Sequence, residues 1–444
     1  MLRRISKALR ERLPHPTVVY AGMRALFSRH KLAPGELVRL DQLERADRYF
    51  LLDQAATLGP VFKGTHWGRF YVCVVGLPLG RRLLREHGAD LTPRTIDMRS
   101  LFPHGFLRQM RGDAHRRYRK ALVRGIKPEN IAASLPRFEA IAVRGLGDYA
   151  ANQAEGRRAP EAYIATLNAI SSGMLIHLFF GAEFGSAAFE RLMQGYRKLG
   201  PNGLVWTVGP AERQAFVEIR DFLLEQFAAH PSAGGALSRH SIAGEMHADG
   251  VLDSTALGNL IYMVEMGRFD VYALFRWLTK YAADRPEYLE RIAREAANPP
   301  QDGRSLVDAF VQETLRMDQS ERLMRNATRT FVFDGHLIPK YAIVRVCVWE
   351  SHKSVESFPD PFRFDAARFM ERNPSGDEFS PFGLDHHHCP LDDVTMQLSA
   401  VFLRALARGY TVGAVEDGLP VRGTYHWQPA NRFSVELRAR ATRT

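Results

Sequence analysis

The most reactive residue is Cys389. It closes the run Asp385-His386-His387-His388-Cys389-Pro390 and precedes a stretch with helical spacing, Val394, Leu398, Val401, Phe402 and Ala405. Pro390 suits a first helical turn, and Asp392 and Asp393 suit the positive end of a helix dipole. Free backbone N–H groups at a helix mouth stabilise a thiolate, which makes Cys389 a candidate nucleophile or metal ligand. The three histidines invite a zinc reading, but consecutive side chains diverge and cannot all reach one ion. A second set, Glu265, Arg268 and Asp270, sits in the middle of an apolar run. Burying such charges is costly unless they are paired, so they either pair structurally or face a cavity. A third set, Glu313 and Arg316, lies three apart on one helical face and can pair.

These residues need long helices to hold them. Asp253-Ser254 can cap a helix running from Ala256 to about Ala283, before Pro286. At 1.5 Å per residue it is roughly 42 Å long. Leu257, Leu260, Ile261, Met263, Val264, Val271, Leu274, Phe275 and Leu278 make it apolar on most sides, as expected of a helix through a large core. A second helix is predicted over Ser305–Met317. Helical periodicity dominates from Gly35 to Arg316. Strand patterns are confined to Val61–Val75 and Thr330–Trp349, the latter with Asp334-Gly335 as a tight turn. The expectation is a mainly α protein with a minor β sheet: a basic segment over 1–34, then a single domain over 35–444.

Composition narrows the function. Three cysteines, Cys73, Cys347 and Cys389, argue against a disulfide framework and for a reducing compartment. Cys73 and Cys347 fall in apolar strand patterns and read as small buried hydrophobes. The net charge of +11 is dispersed without interleaved aromatics, so no nucleic acid partner is expected; a basic face for an acidic protein fits better. The opening MLRRISKALRERLPHP is basic and amphipathic. It lacks the apolar run of a span or a secretory signal. No transmembrane anchor and a cytoplasmic location are therefore expected, with surface contact to a membrane as an alternative for this segment.

Taken together, the motifs resemble the cytochrome P-450 family. Glu313-Thr-Leu-Arg316 looks like its Glu-x-x-Arg helix. Phe358-Pro-Asp-Pro-Phe-Arg-Phe-Asp-Ala-Ala-Arg368-Phe369 looks like its meander, whose arginine, here Arg368, completes a triad with that pair. Phe382-Gly383 precedes Cys389 by the family interval. The resemblance spans roughly residues 50 to 440. It implies heme b, held between the long central helix and the helix after the cysteine loop, with Cys389 as axial iron ligand. His115 and Arg119 match the helix that holds one propionate, Arg325 the arginine for the other, and His387 a further propionate contact. Phe382 belongs to the shielding loop. A small-molecule substrate is implied, with ferredoxin and ferredoxin reductase as electron source. The substrate pocket falls near Thr92–Gln109 (Phe102, Phe106, Arg108) and along the central helix (Met263, Met266, Phe269), with a lid over Gly200–Gly209 that includes Trp206.

Three departures stand out. Asp385 and Leu391 replace glycines four before and two after the cysteine. The histidine run is unusual. The central helix reads Met266-Gly267-Arg268-Phe269-Asp270, where the family has an acid followed by threonine. Gly267 still allows close approach of substrate or dioxygen. Asp270 could donate or accept protons, or pair inertly with Arg268 or Arg276. Arg268 could bind a substrate carboxylate, as in peroxide-using members. The resemblance therefore implies a monooxygenase tailoring a small, mostly apolar molecule in secondary metabolism. The oxidant is dioxygen, peroxide or a substrate N–O bond. The alternative is a catalytically idle helper of a partner enzyme.

Overall fold

A computed structural model describes the chain except residues 1–13, 95–100, 103–104, 106, 108–109, 111, 156–159, 201–207, 230–236, 238–239, 298–304, 319–322, 385–387, 424–425 and 442–444. Its axis is the central helix, Ser254–Asp284. The Asp253 carboxylate accepts from the Ala256 N–H at 2.8 Å, which satisfies one of the donors that a helix start leaves open. Pro286 opens the next helix, Pro286–Ala297. The span agrees with the periodicity, with two residues more at the front and one at the back.

Apolar faces on all sides let the central helix pack against several partners at once. Its neighbours are Pro160–Phe180, Pro210–Ala229 and the helix after the cysteine, Asp392–Gly409. Phe275 stacks on Phe402 at 4.1 Å between ring centres, joining the central helix to the post-cysteine helix. Pro160–Phe180 is long and apolar enough to cross a membrane by composition. Yet 72% of its apolar window is buried in the protein, as a core helix requires.

The main sheet has five strands in the order β1-β2-β7-β4-β3: β1 (Val61–His66), β2 (Arg69–Val75), β3 (Leu91–Pro93), β4 (Leu323–Ala327) and β7 (Ile343–Cys347). Trp67 (φ 50°) and Gly68 (φ 78°) form the tight turn between β1 and β2. Asp334 (φ 50°) and Gly335 (φ 78°) turn the separate hairpin of β5 (Phe331–Phe333) and β6 (His336–Ile338), as the dipeptide predicted. The predicted strand through Trp349 stops at Cys347, because Val348–Ser351 turns helical. β2 and β7 pair in parallel, so the helical body is inserted between adjacent strands of one sheet.

The N-terminal helix Pro16–Leu26 lies on this sheet. Thr17 Oγ1 accepts from the Phe70 N–H at 3.0 Å, and Ala21 and Ala33 are buried in the same cluster as β2. At the other end, β8 (Tyr410–Glu416) pairs with β11 (Ser434–Ala439), and β9 (Val421–Arg422) with β10 (Trp427–Gln428). Arg422 pairs with Glu44, which also holds Arg345 of β7 at 2.9 Å. That buried cluster ties the β9–β10 hairpin to the sheet.

Candidate functional site

The cysteine loop is fixed from within. The Cys389 N–H donates to the Phe382 carbonyl at 2.9 Å. Gly383 turns the chain at φ 92°, a conformation glycine adopts without steric cost. Ser380 Oγ donates to the Gly383 carbonyl at 2.8 Å, and its own N–H donates to His352 Nε2 at 3.0 Å. Burial, then the charges of Lys353 and Arg316, hold the His352 imidazole well below its usual pKa, so it stays neutral and can accept. The post-cysteine helix starts at Asp392, not at Pro390: Leu391 is the capping residue, with φ −115° and ψ 23°. Cys389 therefore lies just ahead of the first turn. His388 closes the gap, with Nε2 2.7 Å from Asp392 Oδ2 and Nδ1 3.2 Å from the Gly383 carbonyl. The bond to Asp392 raises the His388 pKa.

Cys389 faces the central helix across two adjoining cavities of about 250 and 140 Å³. Both are lined by Met266, Gly267, Asp270, Cys389 and Leu391. The larger adds Leu107, Tyr262 and Met263, with His115, Arg119 and Arg325 in its wall. His115 and Arg119 lie one turn apart on Gly112–Gly125, and the buried Arg325 comes from β4. The smaller reaches inward past Phe382, Leu274 and Val394 to His426. An apolar space with one sulfur and a set of cations suits a flat apolar macrocycle bearing anionic arms. The residues fit heme b.

Glu313, Arg316 and Arg368 meet beside the meander. Arg316 Nε and Nη2 donate to Glu313 at 2.6 and 2.8 Å, and Arg368 Nε lies 3.4 Å from Glu313 Oε1. Both arginines then donate to meander carbonyls: Arg316 to Pro361 at 2.8 Å, Arg368 to Asp360 at 2.9 Å. This anchors the segment that leads into the cysteine loop.

Several expectations need correction. Arg268 does not face the cavity. It is buried on another side of the helix, donating to Glu265 at 2.8 and 3.2 Å and to the carbonyls of Tyr196 and Gly200. Phe269 lies under its guanidinium at 4.2 Å and does not line either space. Phe102 stands one layer back, edge-on to Tyr262 and Phe216. Asp270 pairs with neither Arg268 nor Arg276: its Oδ1 lies 3.1 Å from His426 Nε2, and Arg276 donates to the Ala430 carbonyl. The Cβ that Gly267 lacks would point at Leu175, so this glycine serves helix packing while its backbone lines the cavity. Phe106, Arg108, His387, Asp385 and Trp206 lie outside the described residues. Cys73 and Cys347 are buried in strands, as expected. Leu107 falls in the Thr92–Gln109 stretch expected to line the pocket, whereas sequence reasoning gave His388 and His426 no role in the site.

A family model described as Cytochrome P450 matches residues 286–417. Among curated proteins, abscisic acid 8′-hydroxylase 1 of Arabidopsis thaliana is 25% identical over 348 residues, covering 73% of this chain and 71% of that protein. The enzyme of the same name from Oryza sativa subsp. japonica is 27% identical over 375 residues, covering 79% and 77%. Ent-kaurenoic acid oxidase 2 of Arabidopsis thaliana is 31% identical over 210 residues, covering 44% and 42%. The solved structure of retinoic acid-bound cyanobacterial CYP120A1 superposes with a TM-score of 0.71 at 19% identity, covering 92% of this chain and all of that one. With the cysteine loop, the triad and the cation-walled cavity in place, the chain belongs to the cytochrome P450 family and takes heme b as its cofactor.

Proposed function

We propose that this P450 monooxygenase hydroxylates a compact, mostly apolar carboxylic acid, using dioxygen and electrons from a ferredoxin and its reductase. The observation that carries the reading is Cys389 set across an apolar cavity from Gly267 and Asp270, with His115, Arg119 and Arg325 in its wall. His115, Arg119 and Arg325 would hold the propionates, and Cys389 would ligate the iron. When bound, the heme supplies oxygen activation, which a thiolate ligand assists by pushing electron density toward O–O cleavage. Met263, Met266 and Leu107 provide apolar contact for the substrate and exclude water from the reacting carbon.

The substrate class is supported by the names of similar proteins, which cite abscisic, kaurenoic and retinoic acids. The choice of dioxygen over peroxide is supported by Arg268. The peroxide reading needed its guanidinium in the pocket, and it is spent on Glu265. Retention of Cys389 at the cavity favours an enzyme over an idle helper. Its three free cysteines suit a reducing, cytoplasmic setting for a tailoring step.

The reduced protein under carbon monoxide should give the thiolate spectrum, and Cys389→Ser should abolish it. Persistence of that spectrum in the variant would overturn the ligation. Substrate-dependent NAD(P)H oxidation through ferredoxin is expected; turnover that needs peroxide and no reductant would favour the other oxidant.

A further inference from the structure

We propose that Asp270 of the central helix and His426 of the β9–β10 turn act as one proton-delivery pair, joined by the 3.1 Å contact between Oδ1 and Nε2. The inference rests on the monooxygenase reading and deepens it. Hydroxylation combines one substrate C–H bond, dioxygen, two electrons and two protons into one alcohol and one water. The carbon is oxidised, the O–O bond breaks, and reduced ferredoxin gives the electrons. Both protons must reach an apolar space.

Few groups can bring them there. Among the described residues lining the inner cavity, Asp270 and His426 are the ionisable groups besides the iron ligand Cys389. Asp270 lies three and four residues after Gly267 and Met266, on the same helical face, and all three line both cavities. Half of its side-chain surface is open (51%), whereas the His426 side chain is 9% exposed. The pair thus has an open carboxylate on the reacting side and an enclosed imidazole behind it.

Its geometry is built rather than incidental. Trp277 Nε1 of the central helix donates to the Trp427 carbonyl at 2.8 Å, clamping the strand that follows His426. A Cβ on Gly423 would stand 2.6 Å from the His426 carbonyl, so glycine is needed for the turn to close. The proton path runs outward from the imidazole: protonated His426 passes its Nε2 proton to the Asp270 carboxylate at Oδ1, and Asp270 releases it into the cavity. Each passage leaves a neutral ring and a carboxylate, and solvent restores the proton on the ring. Two passages deliver the two protons of one cycle, and charge balances.

The test uses heme-loaded, full-length protein and the variants Asp270→Asn, His426→Phe and His426→Gln. Wild type must first show the thiolate carbon monoxide spectrum and coupled turnover; without these the monooxygenase reading fails, and the pair with it. Given that competence, Asp270→Asn and His426→Phe should keep the spectrum and the substrate-induced spin shift. Product formed per NAD(P)H should fall about 10²-fold, the scale of a lost general acid. The double variant should be no worse than either single one, since the two act as a unit. Turnover driven by hydrogen peroxide, which carries its own two protons, should fall far less. His426→Gln can keep the hydrogen bond but carries no proton. It should preserve the C–O stretching frequency of the carbon monoxide adduct yet still uncouple. Wild-type coupling in His426→Gln would reduce His426 to a positioning residue and overturn the proposal, as would wild-type coupling in Asp270→Asn. If Phe destabilises the turn, the Gln and Asn variants decide alone.

Discussion

Replacing Arg268 with alanine should unfold the protein rather than disarm it. Glu265 is fully buried, and its carboxylate accepts from Arg268 at 2.8 and 3.2 Å. Truncation leaves that carboxylate in the core and removes a donor from the Tyr196 and Gly200 carbonyls. Breaking one partner out of a buried ion pair costs about 3–5 kcal/mol. At about 1.4 kcal/mol per decade, the unfolding constant rises roughly 100- to 4,000-fold. The double variant Glu265→Met/Arg268→Met leaves no orphaned charge and should recover most of the loss. Urea unfolding followed by far-ultraviolet circular dichroism measures both, with the carbon monoxide spectrum as a check on the heme site. A wild-type unfolding midpoint in Arg268→Ala, with turnover abolished, would refute the reasoning and return Arg268 to the substrate.

Two further outcomes follow from buried groups. Arg368→Ala removes the contact to Glu313 and the bond to the Asp360 carbonyl, and should cost about 2–3 kcal/mol, as for a charged hydrogen-bonded group; heme retained per folded protein should drop with it, and unchanged retention and stability would contradict the anchoring role. His66 is held down to about 4, chiefly by burial. Its folded pKa lies below the unfolded value, so the neutral ring costs nothing above pH 6.5, and stability is lost as pH falls from 6.5 toward 4. The full loss is about 3 kcal/mol at 1.36 kcal/mol per unit. His66→Phe should flatten that acid limb in a pH series of unfolding midpoints, and an unchanged slope would count against it.

Much of the site was legible because its contacts are local. Glu313 and Arg316 are three apart, and the meander and cysteine loop are continuous segments whose turn residues and spacing are visible in the sequence. The central helix could be read from its periodicity and its Asp253 cap. Arg268 was misassigned although the pattern held the answer. At 3.6 residues per turn, Asp270 lies about 200° around the helix from it, while Glu265, three residues back, shares its face. The helix start after Cys389 was misplaced because Pro390 fits a first turn, yet Leu391 takes the capping conformation. His426 could not be found this way. Its partner is 156 residues distant, and only the fold of the C-terminal hairpin brings them together.

The parallel pairing of β2 with β7 has a consequence for biosynthesis. When β2 emerges from the ribosome, the strand that will flank it on one side is still untranslated, and every helix up to Leu306–Met317 must appear first. Until residue 343 is released, that edge of the nascent sheet offers unsatisfied backbone groups to any neighbour. Such long-range closure is slow. The sheet is thus among the last parts of the molecule to be sealed, and chaperones have the longest window over its N-terminal half.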